Sequence, residues 1–234
     1  KHLFNCATVI FGNIHNKTIH SIHRLDRETS GVLLLGKNPE TANFYSKKFE
    51  VEKVKKCYFW IAKVNKKANI QIGQTVVKHR LESPFKYDKK RVLVQIFPEA
   101  SNQGKKAETI FDILYQEGSY AIGLAFPKTG RTHQIRAHAQ SIGLPLLGDK
   151  LYLGGYTMFQ RFKDNFANEE DHELLELPRH ALHSIALKIN DEKFISSIPN
   201  DLKEWIEKNL SLDIDNLSNQ VNQKIINYFS DQNH

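Results

Sequence analysis

The sequence predicts an α+β domain built on a mostly antiparallel mixed sheet flanked by helices. Three observations predict it. Many short apolar runs are separated by turn residues, few segments repeat at helical spacing, and strands and helices do not alternate as a parallel α/β fold requires. The chain has 234 residues, enough to bury the core of one large domain or two small ones. It is 40% hydrophobic and 25% charged, ordinary values for a globular protein. No apolar run approaches a membrane span, and no N-terminal segment reads as a secretory signal.

The elements follow in order. Residues 8–11 and 19–22 read as short strands around a polar loop at 12–16. Residues 32–36 form a continuous apolar run, the mark of a buried strand. Pro39 then opens a helix, with Ala42, Tyr45 and Phe49 spaced by three and four. Residues 57–64, 72–77 and 91–97 read as strands, the last two separated by a basic loop at 86–91. Residues 105–114 and 119–126 form a strand pair turning at Gly118. Thr132 is the expected N-cap of a helix carrying Ile135, Ala139 and Ile142, which stops at Gly143 and Pro145. Residues 154–178 are polar and acidic and read as a surface excursion. A strand at 179–189 and a short helix at 201–209 follow. Beyond 210, Leu217, Val221, Ile225 and Phe229 recur at four-residue steps. They predict one amphipathic helix that caps the domain or binds a partner.

Lys and Arg number 33 against 26 Asp and Glu, a net charge of +7. That excess suits a polyanionic partner such as RNA, and equally a merely soluble surface. Two cysteines, Cys6 and Cys57, allow one disulfide but no framework, which suits a reducing compartment. The absence of CxxC pairs removes thiolate zinc sites.

Three polar islands at element ends could carry chemistry: 23–31, 56–58 and 130–136. Asp26 lies between Arg24 and Arg27 in "HRLDRETSG". It is either a turn aspartate bonding its own backbone near Thr29 or a reactive carboxylate. His20, His23 and Asp26 recur every third residue and raise a metal site, although alternation along a strand would send the two imidazoles to opposite faces. Arg131 and Arg136 are solvated charges or carboxylate partners. A cation at a helix N-terminus opposes the macrodipole, so Arg131 needs another reason to be there. Pairing with a carboxylate, which favours its ionised form, is one. Tyr58 is a strand core residue or a flat ring that stacks on a base drawn from its helix.

Together these islands resemble the RluA family of RNA pseudouridine synthases. "HRLDRETSGVLLL" at 23–35, "KCY" at 56–58, "GKKAET" at 104–109, "TGRTHQIRAHAQSIGLPLLGDKLY" at 129–152 and "RHALHS" at 179–184 stand in the order of that family's segments. The resemblance implies the pseudouridine synthase fold with a central active-site cleft. It implies conversion of uridine to pseudouridine within RNA, ribosomal or transfer, with no cofactor and no metal. It casts Asp26 as the reactive carboxylate, Tyr58 as the stacking ring and Arg131 as the partner orienting Asp26. Arg24 would enter the RNA near the vacated base, Ile135 would line the uracil pocket, and His23 and Arg136 would adjoin the substrate. The expected organisation is a catalytic domain over 1–209, short of the family's upstream K-P-x-G segment and S4-like domain, and a helical tail over 210–234. The expected setting is a cytoplasmic monomer. Two alternatives stand beside this one: an inactive RNA-binding module on the same fold, and a metal-dependent RNA hydrolase using His20, His23 and Asp26.

Overall fold

A computed structural model describes residues 6–83 and 93–231. The basic loop at 86–91 lies outside them. The chain opens with α1 (Ala7–His15), β1 (His20–Ser21), β2 (Ser30–Gly31), β3 (Leu35–Gly36), α2 (Pro39–Glu50), β4 (Val54–Lys63) and β5 (Gly73–Glu82). It continues with β6 (Gln95–Pro98), β7 (Lys105–Glu117), β8 (Tyr120–Pro127), α3 (Gln134–Ser141), α4 (Gly155–Lys163) and α5 (Glu169–Leu175). It ends with β9 (Leu182–Ile189), β10 (Glu192–Ile195), α6 (Asn200–Asn209) and α7 (Ile214–Ser230).

The main sheet runs β10-β9-β4-β8-β7-β5-β6. Its pairings are antiparallel, except that β2 joins β9 in parallel. The architecture is thus the expected mixed, mostly antiparallel sheet flanked by helices. Alternation along β4 sends its side chains to two cores. Cys57, Phe59 and Ile61 pack with Trp205 and Ile206 of α6 and with Leu217, Val221, Ile225 and Phe229 of α7. Trp60 and Ala62 pack on the other face with Ile135 and Ala139 of α3. The stripe read beyond residue 210 is therefore buried against the sheet. An ion pair from the half-exposed Lys224 to the buried Asp112, at 2.7 Å, ties α7 to β7.

Trp60 has no freedom at its position. It is wholly buried and meets Phe111 edge to face at 6.0 Å. A Cβ on Gly123, its partner on β8, would lie 2.5 Å from the indole. The missing side chain on β8 makes room for the large one on β4, on the same face as Tyr58.

Some local expectations fail. Residues 8–11 belong to α1, not a strand. A four-residue apolar run does not distinguish the two by period, and Asn16 ends the helix in the left-handed region at φ 49°. The run at 32–36 is strand only at Leu35–Gly36. Val32 instead gives its amide to Ser184 at 2.8 Å, extending the contact of β2 with β9. The N-cap of α3 is His133, in the left-handed region, one residue beyond Thr132. The acidic stretch at 154–178 is not a plain excursion. It forms α4 and α5, and it buries Met158, Asp171, Leu175 and Leu177. The missed signal was Asn168 with Asp171 three residues on, a capping box that starts α5.

Candidate active site

Asp26 sits on the loop between β1 and β2, and that loop is latched onto β9. The Thr29 hydroxyl meets His180 Nε2 at 2.8 Å, and the Ser30 hydroxyl meets His183 Nδ1 at 2.8 Å. Burial pushes both imidazoles down to about 4, so both are neutral near pH 7. Gly31 adopts φ 105° and lies so close to β9 that a Cβ there would stand 2.2 Å from the Ser184 carbonyl. This contact joins "TSG" to "RHALHS", with Ser30 and His183 standing 153 residues apart. Gly31→Ala is accordingly expected to cost about 1–3 kcal/mol and to lower Tm by roughly 2–12 °C. An unchanged melting curve would show that the latch is dispensable.

The turn itself uses the backbone: Thr29 donates to the Asp26 carbonyl at 3.0 Å. The Asp26 carboxylate is left to reach across to α3, where Arg136 Nη1 donates to its Oδ2 at 3.0 Å. Arg136 turns its other edge to Asp149, with Nε to Oδ2 at 2.6 Å and Nη2 to Oδ1 at 2.9 Å. One planar cation thus bridges two carboxylates. Asp149 is fully buried and also accepts the amides of Leu151 and Tyr152, each at 3.0 Å. Burial alone would raise its carboxyl pKa. The Arg136 charge and hydrogen bonds outweigh burial and hold it near 2. Burial likewise opposes the charge on Arg136, but the two carboxylates raise its pKa above the ordinary value. The Tyr152 ring lies 5.0 Å from the guanidinium and closes that side.

Arg131, cast as the partner of Asp26, does not pair with it. Its Nε donates to the Lys106 carbonyl at 2.9 Å and its Nη2 meets Glu52 at 3.4 Å. The reason is local. Gln134 accepts the Arg131 amide at 2.9 Å and the Thr129 hydroxyl at 2.6 Å. Its Nε2 donates to the Glu108 carbonyl and to Thr109. The loop so held leaves the Arg131 side chain at the cleft mouth, one-third exposed. The macrodipole argument found a misplaced cation but chose the wrong one of two. Arg136 stands in the first turn of α3 because two carboxylates compensate it.

A cleft of about 470 Å³ opens over Asp26. Tyr58, Ile135 and Leu182 supply apolar walls, and Arg24, His23, Lys56, Arg131 and Arg136 also line it. Arg24 is exposed at the rim. Tyr58 on β4 stands opposite Ser184 on β9. Burial raises its phenol to about 12, against a hydrogen bond from Ser184 that lowers it. His23 accepts the Leu34 amide on Nε2 at 3.0 Å and stacks on Phe49 at 4.4 Å. Burial, aided by the Lys56 charge, pushes it down to about 4. It is therefore a neutral wall and brace near pH 7. His20 is elsewhere, beside Lys17 and Lys37. Among the described residues no group of three or more His, Cys, Asp or Glu is arranged to hold a metal ion.

The sequence reading missed Asp149 as a member of the site. Its signal was a single acid inside the apolar run "GLPLLGDKLY", a place where a carboxylate requires a buried partner.

The chain is similar to known proteins. The family described as RNA pseudouridylate synthase matches residues 9–141. That span holds Asp26, Tyr58, Arg131 and Arg136 but not Asp149. The chain is 34% identical over 131 residues to the ribosomal large subunit pseudouridine synthase D of Borreliella burgdorferi, covering 56% of this chain and 37% of that protein. It is 32% identical over 206 residues to the ribosomal large subunit pseudouridine synthase C of Buchnera aphidicola, covering 88% and 58%. It is 34% identical over 139 residues to the tRNA pseudouridine synthase C of Haemophilus ducreyi, covering 58% and 56%. The chain therefore spans between about a third and three-fifths of the length of these curated relatives. Among solved structures, human RNA pseudouridylate synthase domain containing 4 superposes with a TM-score of 0.63 at 21% identity, over 86% of this chain and 80% of that one. At that identity the likeness speaks for the fold.

Proposed function

The chain belongs to the RNA pseudouridylate synthase family, and on that premise we propose that it isomerises uridine to pseudouridine within RNA, with Asp26 as the reactive carboxylate. One observation carries the reading: at the base of a cleft walled by Tyr58, Ile135 and Leu182, the Asp26 carboxylate is held by Arg136.

The residues suit the chemistry. Breaking the bond between C1′ and N1 leaves the ribose electron-poor. A carboxylate beside it stabilises that charge, adds to it, or takes the neighbouring 2′ proton. Each of these needs an ionised carboxylate, and Arg136 supplies the counter-charge. The freed uracil must turn before C5 bonds to C1′ and the C5 hydrogen leaves. Tyr58 and the aliphatic walls retain it and keep water from capturing the sugar. With its phenol near 12, Tyr58 is neutral near pH 7 and offers a ring face rather than a phenolate base. A single carboxylate meets the sugar, unlike the pair used in glycoside hydrolysis. Asp149 faces the far edge of Arg136 and is sealed from the cleft.

Structured RNA is the proposed substrate, with large-subunit ribosomal RNA favoured over transfer RNA by the names of the relatives. The net charge of +7 suits such a partner. We place the enzyme in the cytoplasm as a monomer. Cys57 is a free, buried thiol, as a reducing compartment allows. Among the described residues no helix is long and apolar enough to cross a membrane. Mapping pseudouridines in total RNA from cells with and without the gene tests the reading. A site lost with the gene supports it, and an unchanged map overturns it.

If Tyr58 acts through its ring, Tyr58→Phe retains most of the turnover. Tyr58→Ala loses the stacking contribution, on the order of 1–3 kcal/mol or about 5- to 150-fold. Single-turnover rates on one RNA decide this. Equal losses in both variants would assign the work to the hydroxyl.

A further inference from the structure

The cleft mouth holds an ion pair that the isomerisation does not use. Arg131 Nη2 lies 3.4 Å from Glu52 Oε1, with the two side chains 32% and 41% exposed. The two residues come from opposite walls, Arg131 from the loop before α3 and Glu52 from the turn between α2 and β4. Glu52 adopts φ 59°, a left-handed conformation costly for a residue with a side chain. An exposed pair of this kind contributes little to folding, so stability does not explain the arrangement.

Its surroundings are cationic and fixed. The Arg131 guanidinium is anchored through Nε to the Lys106 carbonyl at 2.9 Å. Lys56 is buried beneath, and its ammonium donates to the Thr129 carbonyl at 2.9 Å. Two further ammonium donors have no bond among those described. Gly130 lies between them: a Cβ built there would meet only the Lys56 ammonium, at 3.9 Å. An anion can therefore approach the backbone closely. Two anchored cations, an open backbone and one solvent-exposed carboxylate make a site for a single-charged oxyanion, with Glu52 as the occupant free to leave.

We propose that Arg131 and Lys56 form a subsite for one backbone phosphodiester of the RNA, and that Glu52 fills it as an internal competitor until RNA displaces it. A carboxylate and a phosphodiester each carry one negative charge, and the planar guanidinium fork accepts either. The exchange leaves Arg131 paired with one negative charge before and after, while the Glu52 carboxylate turns to solvent. It favours a polymer, which brings a phosphate beside the target uridine, over a free nucleoside, which leaves Glu52 in place. The inference rests on RNA as the substrate and assigns Arg131 to binding.

The test is a double-mutant cycle on binding. A uridine-containing RNA strand is titrated into the unaltered protein, Glu52→Gln, Arg131→Gln and the double variant, across a range of salt, with melting curves to confirm that each is folded. Glu52→Gln is expected to bind about two- to fivefold more tightly at low salt. In the Arg131→Gln background the same change is expected to have no effect, and the salt slope of Arg131→Gln to be shallower by about 0.7. An unchanged affinity for Glu52→Gln would overturn the subsite while leaving RNA binding intact. So would an equal gain in both backgrounds, which would mark a diffuse charge effect. Absence of RNA binding by the unaltered protein would overturn the proposed function and the subsite together.

Discussion

Asp26→Asn is expected to abolish isomerisation and leave the fold in place. The amide is nearly isosteric with the carboxylate, and its oxygen can still accept the hydrogen bond that Arg136 Nη1 gives at 3.0 Å. The turn survives because Thr29 bonds the backbone carbonyl of residue 26 and not its side chain. What is lost is the negative charge, and with it any means of stabilising or attacking an electron-poor C1′. Removing a nucleophile from other enzymes costs on the order of 10⁴–10⁶ in turnover, and a loss of that size is expected. The check is a single-turnover assay beside a melting curve. Turnover near normal, or a melting temperature lowered by many degrees, would contradict the assignment.

Arg136→Lys is expected to have the second largest effect, a fall of about 10²–10³ in turnover. A lysine ammonium cannot serve two carboxylates through fixed planar edges. It is expected to stay with the buried Asp149, leaving Asp26 without its partner. Arg136→Ala is harsher, because it strands the buried Asp149 charge. A cost of about 3–5 kcal/mol in stability is expected there. By contrast, Arg131→Ala is expected to weaken RNA binding and to change turnover at saturating RNA by less than tenfold. Measuring turnover and affinity for all three variants separates the two arginines. A larger loss of turnover in Arg131→Ala than in Arg136→Lys would restore Arg131 to the role first read for it.

The difference between those arginines shows where sequence reading ends. Elements carrying their own period were legible: α2 from Pro39 and its spaced apolar residues, β4 around Tyr58, and α7 from its four-residue stripe. The site islands were legible too, because charged residues at element ends stand out against apolar strands. Their partners were not, since pairing is a property of distant segments. Arg136 meets Asp26 across 110 residues, and Gly31 meets Ser184 through a sheet whose order no local pattern encodes. The partner of Asp149 and the contacts of His180 and His183 went unread for the same reason, although the lone acid in an apolar run marked Asp149 as needing a partner. Residues 8–11 failed differently: their apolar side chains suit a strand, yet they form α1, which buries none of them. No burial pattern was there to read.

The central claim is that Asp26, held by Arg136, turns uridine into its C-glycoside isomer within RNA. Forming the C5–C1′ bond expels the C5 hydrogen, so RNA carrying tritium at C5 of uridine reports the reaction directly. The purified protein is expected to release tritium to water and leave pseudouridine in an intact strand, and Asp26→Asn is expected to release none. Free uracil in place of pseudouridine, or release undiminished in Asp26→Asn, would contradict the account.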